Sequence, residues 1–243
     1  MEQERAARLA AMIASIQKQW GSAALQPLSK MNTSSTSSVL STGFAALDAV
    51  LGTEGIPRGQ TTELVGRPTS GMTTLAYRIV AMAQQQGQYA IYVDLDSTFS
   101  PDYAVGCGID LHTLFLARPE TELEALDIAR DLIQQGSVGV IVLDLGLVLP
   151  DIHTLRRFAA ILARSGCVVL LLVALTDGAN PRAVLSGTPA GLRLFIERET
   201  WLMRQMDIRG YRTCITILGR HKAAGRQVTI DIDFDVGFIG DIP

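Results

Sequence analysis

Cysteine is scarce and scattered: Cys107, Cys167 and Cys214 are odd in number, far apart and outside any Cys-x-x-Cys spacing. That pattern argues against a disulfide framework or a thiolate metal centre and for buried thiols in a reducing compartment. Long hydrophobic runs are missing as well. The longest, Cys167 to Leu175, is too short to cross a bilayer, and no signal peptide precedes the first helix, so the expected location is the cytoplasm, without membrane contact. Charge of one sign does not dominate either. A net charge of −3 argues against wholesale coating of nucleic acid, although residues 193–226 carry eight Lys/Arg against three Asp/Glu, so any such contact would be regional. What is present is apolar: 48% of 243 residues, ample for one large domain or a domain with an extension.

One further absence is a single residue. Gly66-Arg67-Pro68-Thr69-Ser70-Gly71-Met72-Thr73-Thr74 fits the phosphate-loop pattern G-x-x-x-x-G-K-[ST] at every fixed position except 72, where methionine replaces lysine. The loop follows the apolar-rich run Thr61–Val65 and opens a helical pattern from Leu75, which is the strand-loop-helix context the motif needs. Backbone N–H groups and the helix N-terminus can still cradle phosphates, and the Thr73 hydroxyl can reach a magnesium ion. Met72 cannot supply the ammonium group that stabilises the outer phosphates, so weak nucleotide binding and little or no hydrolysis are expected.

Along the chain, residues 3–20 read as an amphipathic helix with Leu9, Met12, Ile13, Ile16 and Trp20 at helical spacing. The polar stretch 29–38 reads as a flexible linker. From Val39, strands at 61–65, 89–94, 138–143 and 168–175 alternate with helices at 72–86, 121–135 and 152–165, which indicates a parallel sheet covered on both faces. Residues 192–204 read as partly helical or extended, and 212–218 with 227–234 as an antiparallel hairpin at the sheet edge. The chain thus divides into an oligomerisation helix (1–28), a linker (29–38) and an α/β core (39–243). Asp144 ends an apolar strand where a carboxylate would hold magnesium through water. Asp94 and Asp96 lie at the carboxyl edge where α/β sheets bind ligands; one could orient a water, or cap the Ser97-Thr98 turn.

The blocks Leu40–Asp48, Gly55–Gly59, the phosphate loop, Tyr92–Asp96 and Pro101–Ala104 resemble, in sequence and spacing, the core of the RecA recombinase family. Residues 10–21 resemble that family's polymerisation helix, which docks on a neighbouring subunit. The resemblance implies a RecA-like P-loop NTPase core using ATP and magnesium, with Asp96 at the position of the catalytic glutamate, Thr73 and Asp144 at the metal and Tyr103 against adenine. It also marks departures. Met72 replaces the lysine, Asp96 is one methylene short of the expected base, and Ala174 lies near the place of a phosphate-sensing glutamine. Leu145–Ile152 is too short for the first DNA loop; Asp177–Gly191, with Asn180 and Arg182, could be a shortened second one, and the C-terminal domain has no counterpart.

These losses suit a divergent paralogue acting in DNA repair, recombination or the SOS damage response. Shortened relatives of the ImuA and SulA-like kind act beside a translesion polymerase. The implied partners are a second copy in an oligomer or filament, an active RecA, single-stranded DNA held chiefly by Arg182 and Arg193, and such a polymerase. Two other functions fit the same residues: an active ATPase in which Arg67, Arg220, His221, Lys222 or Arg226 replaces the lysine, and a scaffold that binds neither nucleotide nor DNA.

Overall fold

The computed structural model describes residues 38–136 and 138–234; the helix expected over 3–20 and all but the last residue of the linker lie outside the described residues. Strands β1 (Val39–Leu40) and β2 (Ile56–Pro57) pair antiparallel around α1 (Ala45–Leu51). The turn before α1 is held by the Asp48 carboxylate, which accepts from Ser41 Oγ at 2.6 Å, Thr42 N at 3.0 Å and Thr42 Oγ1 at 2.8 Å. The Leu40–Asp48 block is therefore a structural turn lock.

The remaining strands are β3 (Thr61–Gly66), β4 (Tyr89–Asp94), β5 (Leu114–Ala117), β6 (Val138–Asp144), β7 (Val168–Ala174), β8 (Leu192–Arg204), β9 (Asp207–Leu218) and β10 (Gln227–Asp233). They form one sheet in the order β10-β9-β8-β3-β7-β6-β4-β5. Strands β8 to β5 in that order run parallel, while β9 and β10 continue antiparallel beyond β8. Helices α1, α2 (Met72–Gln85) and α3 (Pro101–Gly106) cover one face, packing Leu47, Leu75 and Ile79 against Leu64, Tyr92 and Leu170. On the other face α4 (Glu122–Gln135) and α5 (Ile152–Leu162) bring Ala129 and Phe158 onto Val65, Ile141 and Val169. Burial of both faces is why β6 and β7 read as near-continuous apolar runs with no alternation.

The expected α/β architecture with an antiparallel edge hairpin is the observed one. Two elements differ from expectation. Residues 192–204 carry no helix; they are one 13-residue strand that joins the parallel sheet to the hairpin. Strand β9 begins at Asp207, ahead of Arg212, because its first residues pair with the far end of β8. All three cysteines are free; burial pushes the Cys107 and Cys167 thiols up to about 12. No helix among the described residues is long and apolar enough to cross a membrane.

Strand β3 carries one charge through the middle of the sheet. Glu63 is 1% exposed and sits opposite Arg193 in the β3–β8 register. Arg193 Nε donates to Glu63 Oε2 at 2.7 Å, and its Nη2 donates to the carbonyl and the hydroxyl of Thr188, both at 2.6 Å. Burial pushes the Glu63 carboxyl up, and hydrogen bonds from Thr188 and Arg193 oppose that shift. The guanidinium expected to touch DNA is thus engaged within the fold, because an unpaired carboxylate in this position would be costly. Arg193→Ala should lower stability by about 3–5 kcal/mol, the range for breaking a buried pair. Arg182→Ala, at an exposed side chain, should change it by less than about 0.5 kcal/mol. Urea unfolding midpoints of the two variants test the contrast.

Candidate nucleotide site

Strand β3 ends at Gly66 because the next turn has no room for a side chain. A Cβ there would stand 2.6 Å from the Ile196 carbonyl and 2.5 Å from Ser70 Oγ. The chain turns through Arg67, Pro68 and Thr69, which are exposed, and Thr69 adopts φ +63°, a left-handed conformation rare for a β-branched residue. Gly71, at φ +107°, precedes α2 and packs on the Tyr211 ring. No side chain caps α2, and its first turn contains no acidic residue. The first-turn N–H groups and the positive end of the helix dipole therefore face the loop uncompensated, which is the electrostatics of an anion site.

A cavity of about 410 Å³ opens over this turn, lined by residues 67–74 and by Tyr77, Thr98, Ser100, Tyr103, Trp201, Tyr211 and Phe234. Its size is that of a small-molecule pocket. All the sequence-predicted loop residues from Arg67 to Thr74, together with Tyr103, border the same space. Met72 is 9% exposed and packs into the core beneath the loop, so the place of the lysine is filled by a thioether. The Ser70 hydroxyl is buried against Gly66 with no hydrogen-bond partner among the described residues.

Thr74 gathers the cavity's phenols. Its hydroxyl shares hydrogen bonds with Tyr103 Oη at 2.6 Å and Tyr211 Oη at 2.9 Å. Burial pushes both phenols up, so each keeps its proton and serves as a neutral hydrogen-bonding group. Tyr211 comes from β9 and Trp201 from β8, packed edge to face at 6.1 Å between centroids, and the Phe234 ring lies 5.9 Å from Tyr211. Sequence reasoning missed this aromatic wall. Alternation along β9 puts Tyr211 and Thr213 on one face, but only the pairing of β8 with β3 brings that face to the loop.

The carboxylates separate into distinct tasks. Asp94 is fully buried; it accepts from Thr98 N at 2.8 Å and Phe99 N at 3.1 Å, with Arg118 Nε at 3.6 Å. It is the cap of the Ser97–Phe99 turn. Asp96 is exposed and lies against Gly146, where a Cβ would overlap its carboxylate. Asp144 Oδ2 accepts from Tyr92 Oη at 2.7 Å and Thr98 Oγ1 at 3.3 Å, and since Thr98 lines the cavity, Asp144 stands just behind its wall. Burial and the neighbouring Asp144 charge push the Tyr92 phenol up, keeping it a donor. Among the described residues no group of three or more His, Cys, Asp or Glu could hold a metal by itself. A magnesium ion between Thr73 and Asp144 would therefore share its remaining sites with phosphate oxygens and water, the usual mode for this ion.

The connection after β6 is short, with Asp151 capping α5 through His153 N at 2.8 Å. In the 177–191 segment Asn180 caps α6 (Pro181–Val184), and Arg182 borders a cleft of about 400 Å³ shared with Arg193, Ile217 and Gly219. Arg67 is paired with Asp177 at 3.9 Å, both side chains well exposed, so the contact is weak.

Comparison with known proteins follows the same outline. A family model described as the RecA N-terminal domain matches residues 7–153. Protein RecA of Roseiflexus sp. (strain RS-1) is 30% identical over 267 aligned positions, spanning 97% of this chain and 75% of the relative. Protein RecA of Geobacter sulfurreducens is 30% identical across 100% of this chain and 81% of its own length. That of Chlamydia abortus is 37% identical over 67% of this chain and 52% of its own. A phosphate-loop turn at the head of a parallel sheet, carried on a sequence matched over 97% and 100% of its length by the Roseiflexus and Geobacter relatives, makes the chain a member of the RecA family.

Proposed function

We propose that this protein is a RecA-like protein of DNA recombination or repair that binds ATP and magnesium weakly, hydrolyses ATP slowly or not at all, and works by association. The observation that carries this is the loop itself: its glycines, its uncapped helix and its cavity are in place, while the ammonium group is replaced by Met72. Phosphates would be held by backbone N–H groups of the loop, Thr73 and Asp144 would be the residues that hold the metal, and Tyr103 would lie against the base. Asp96, exposed at the carboxyl edge of the sheet, would be the group that orients water. The ATP with its metal supplies the phosphoanhydride chemistry; the chain's own residues bind and orient it.

A hydrogen bond to a charged group contributes about 1.5–3 kcal/mol, or roughly ten- to a hundred-fold in affinity. Met72→Lys should therefore bind ATP by about that factor more tightly than wild type and release phosphate faster. A variant that gains neither affinity nor turnover would show that the site has decayed beyond this residue.

Single-stranded DNA is the proposed second ligand, held by the 177–191 segment through Arg182; Arg193 contributes by shaping the cleft, since its guanidinium is tied to Glu63. Arg182→Ala should weaken binding similarly for all sequences and reduce the salt slope by roughly one. An unchanged affinity and slope would remove this surface.

Residues 1–28, joined by the 29–38 linker to the core from residue 39, are proposed to dock on a second copy of the chain or on an active RecA. The outer edge of the sheet supports association of this kind: among the described residues nothing pairs with the outer edge of β5, and Phe115, Leu116 and Tyr89 are 56%, 41% and 50% exposed around an apolar cleft of about 430 Å³. Deleting residues 1–28 should reduce the mass seen by light scattering to that of a monomer while thermal unfolding stays cooperative. An unchanged mass, or a wild type that is monomeric at high concentration, contradicts it. A translesion polymerase as a further partner rests on the resemblance to shortened relatives.

A further inference from the structure

Lysine is almost absent from this chain. Of its 21 Lys/Arg residues only Lys18, Lys30 and Lys222 are lysine, and Lys222, the one among the described residues, donates its ammonium to the Gly52 carbonyl at 2.8 Å. Among the described residues, any cation serving the loop is then an arginine. Arg67 points to Asp177 and Arg193 is buried against Glu63. Arg198 is different: its Nη1 donates to Thr69 Oγ1 at 2.7 Å and to the Thr69 carbonyl at 3.2 Å, within the phosphate loop.

The backbone is shaped to bring it there. In the β8–β9 register Arg198 faces Thr213 and Trp201 faces Tyr211, so three steps along β8 match two along β9. This bulge between Arg198 and Thr200 turns residues 198 and 201 to the same side of the sheet, where strict alternation would oppose them. The guanidinium carbon then lies 4.0 Å over the centroid of the Trp201 ring, a cation–π contact that steadies it beside the loop. Both groups it touches, Thr69 and Trp201, line the cavity over the loop. Among the described residues Arg198 has no carboxylate partner, so none of them neutralises its charge.

We propose that Arg198 replaces the missing lysine: it reaches from β8 to the outer phosphates of a nucleoside di- or triphosphate in the loop. A guanidinium fork matches two phosphate oxygens, and only Nη1 is used by Thr69, so the remaining N–H groups are available to the anion. Tyr103, hydrogen-bonded to the first turn of α2, marks the base end of the same cavity. The inference rests on the nucleotide reading above and adds the residue that discriminates by phosphate number.

The test is the affinity of fluorescent ATP, ADP and AMP analogues for wild type, Arg198→Ala, Arg198→Lys and Arg198→Gln, with thermal melts to confirm folding. Gln retains a donor to Thr69 without the charge. Ala and Gln should each weaken ATP and ADP about ten- to a hundred-fold, the range for a charged hydrogen bond, and change AMP by less than about twofold; Lys should restore part of the loss. Equal weakening of all three nucleotides, or an ATP affinity that Gln preserves, would show that Arg198 only shapes the loop through Thr69. Unchanged ATP binding in Ala would overturn the inference alone. A wild type that binds none of the three overturns the nucleotide reading as well.

Discussion

The grip of the antiparallel arm on the phosphate loop is the contact on which the site depends. Gly66 lets β3 pass close to the Ile196 carbonyl of β8, and the Thr213 hydroxyl of β9, at 2.9 Å from both the Ser70 and Glu197 carbonyls, ties the far side of the turn to the same arm. Tyr211 follows two residues earlier on the same face, packing on Gly71 and bonding Thr74. A loop held at three points by strands outside the motif keeps its shape when one motif residue changes. The exchange of lysine for methionine at 72 therefore alters charge and leaves the cradle standing, and the methionine side chain gains a place in the core.

That arm explains what the sequence reveals and what it conceals. Parallel strands buried on both faces, such as Val168–Ala174, announce themselves as apolar runs, and the loop glycines mark the turn whatever stands at 72. Strand β8 does not, because its inner half is apolar and its outer half charged, and a bulge breaks the alternation midway. Arg198 and Trp201, three residues apart, accordingly look like opposite faces of a strand or one face of a helix. The same difficulty covers Arg193, which reads as one of a basic cluster until the β3–β8 register sets it against Glu63. Asp94 and Asp96 could not be told apart by position; burial and the N–H groups of Thr98 and Phe99 assign the cap to Asp94.

The charge distribution around the cavity follows from these contacts. Helix α2 contributes an uncapped N-terminus with no acidic residue in its first turn, while the carboxylates stand behind the wall or beyond it, Asp144 held by Tyr92 and Asp94 by its own turn. An anion entering the loop meets backbone donors first, then hydroxyls, and arginine only at the rim. On the proposed reading such a site would hold a nucleotide and cleave it poorly, since the groups that act on the transition state are the ones altered.

The central claim is that the loop is a preformed phosphate cradle without its lysine, and the backbone amides report on it directly. In a two-dimensional amide NMR titration of the wild-type protein with magnesium ATP, the resonances of Ser70, Gly71, Met72, Thr73 and Thr74 should shift together at millimolar nucleotide, with those around Tyr103 following. Saturating ATP that leaves these amides unmoved, or that moves a different surface, would contradict it.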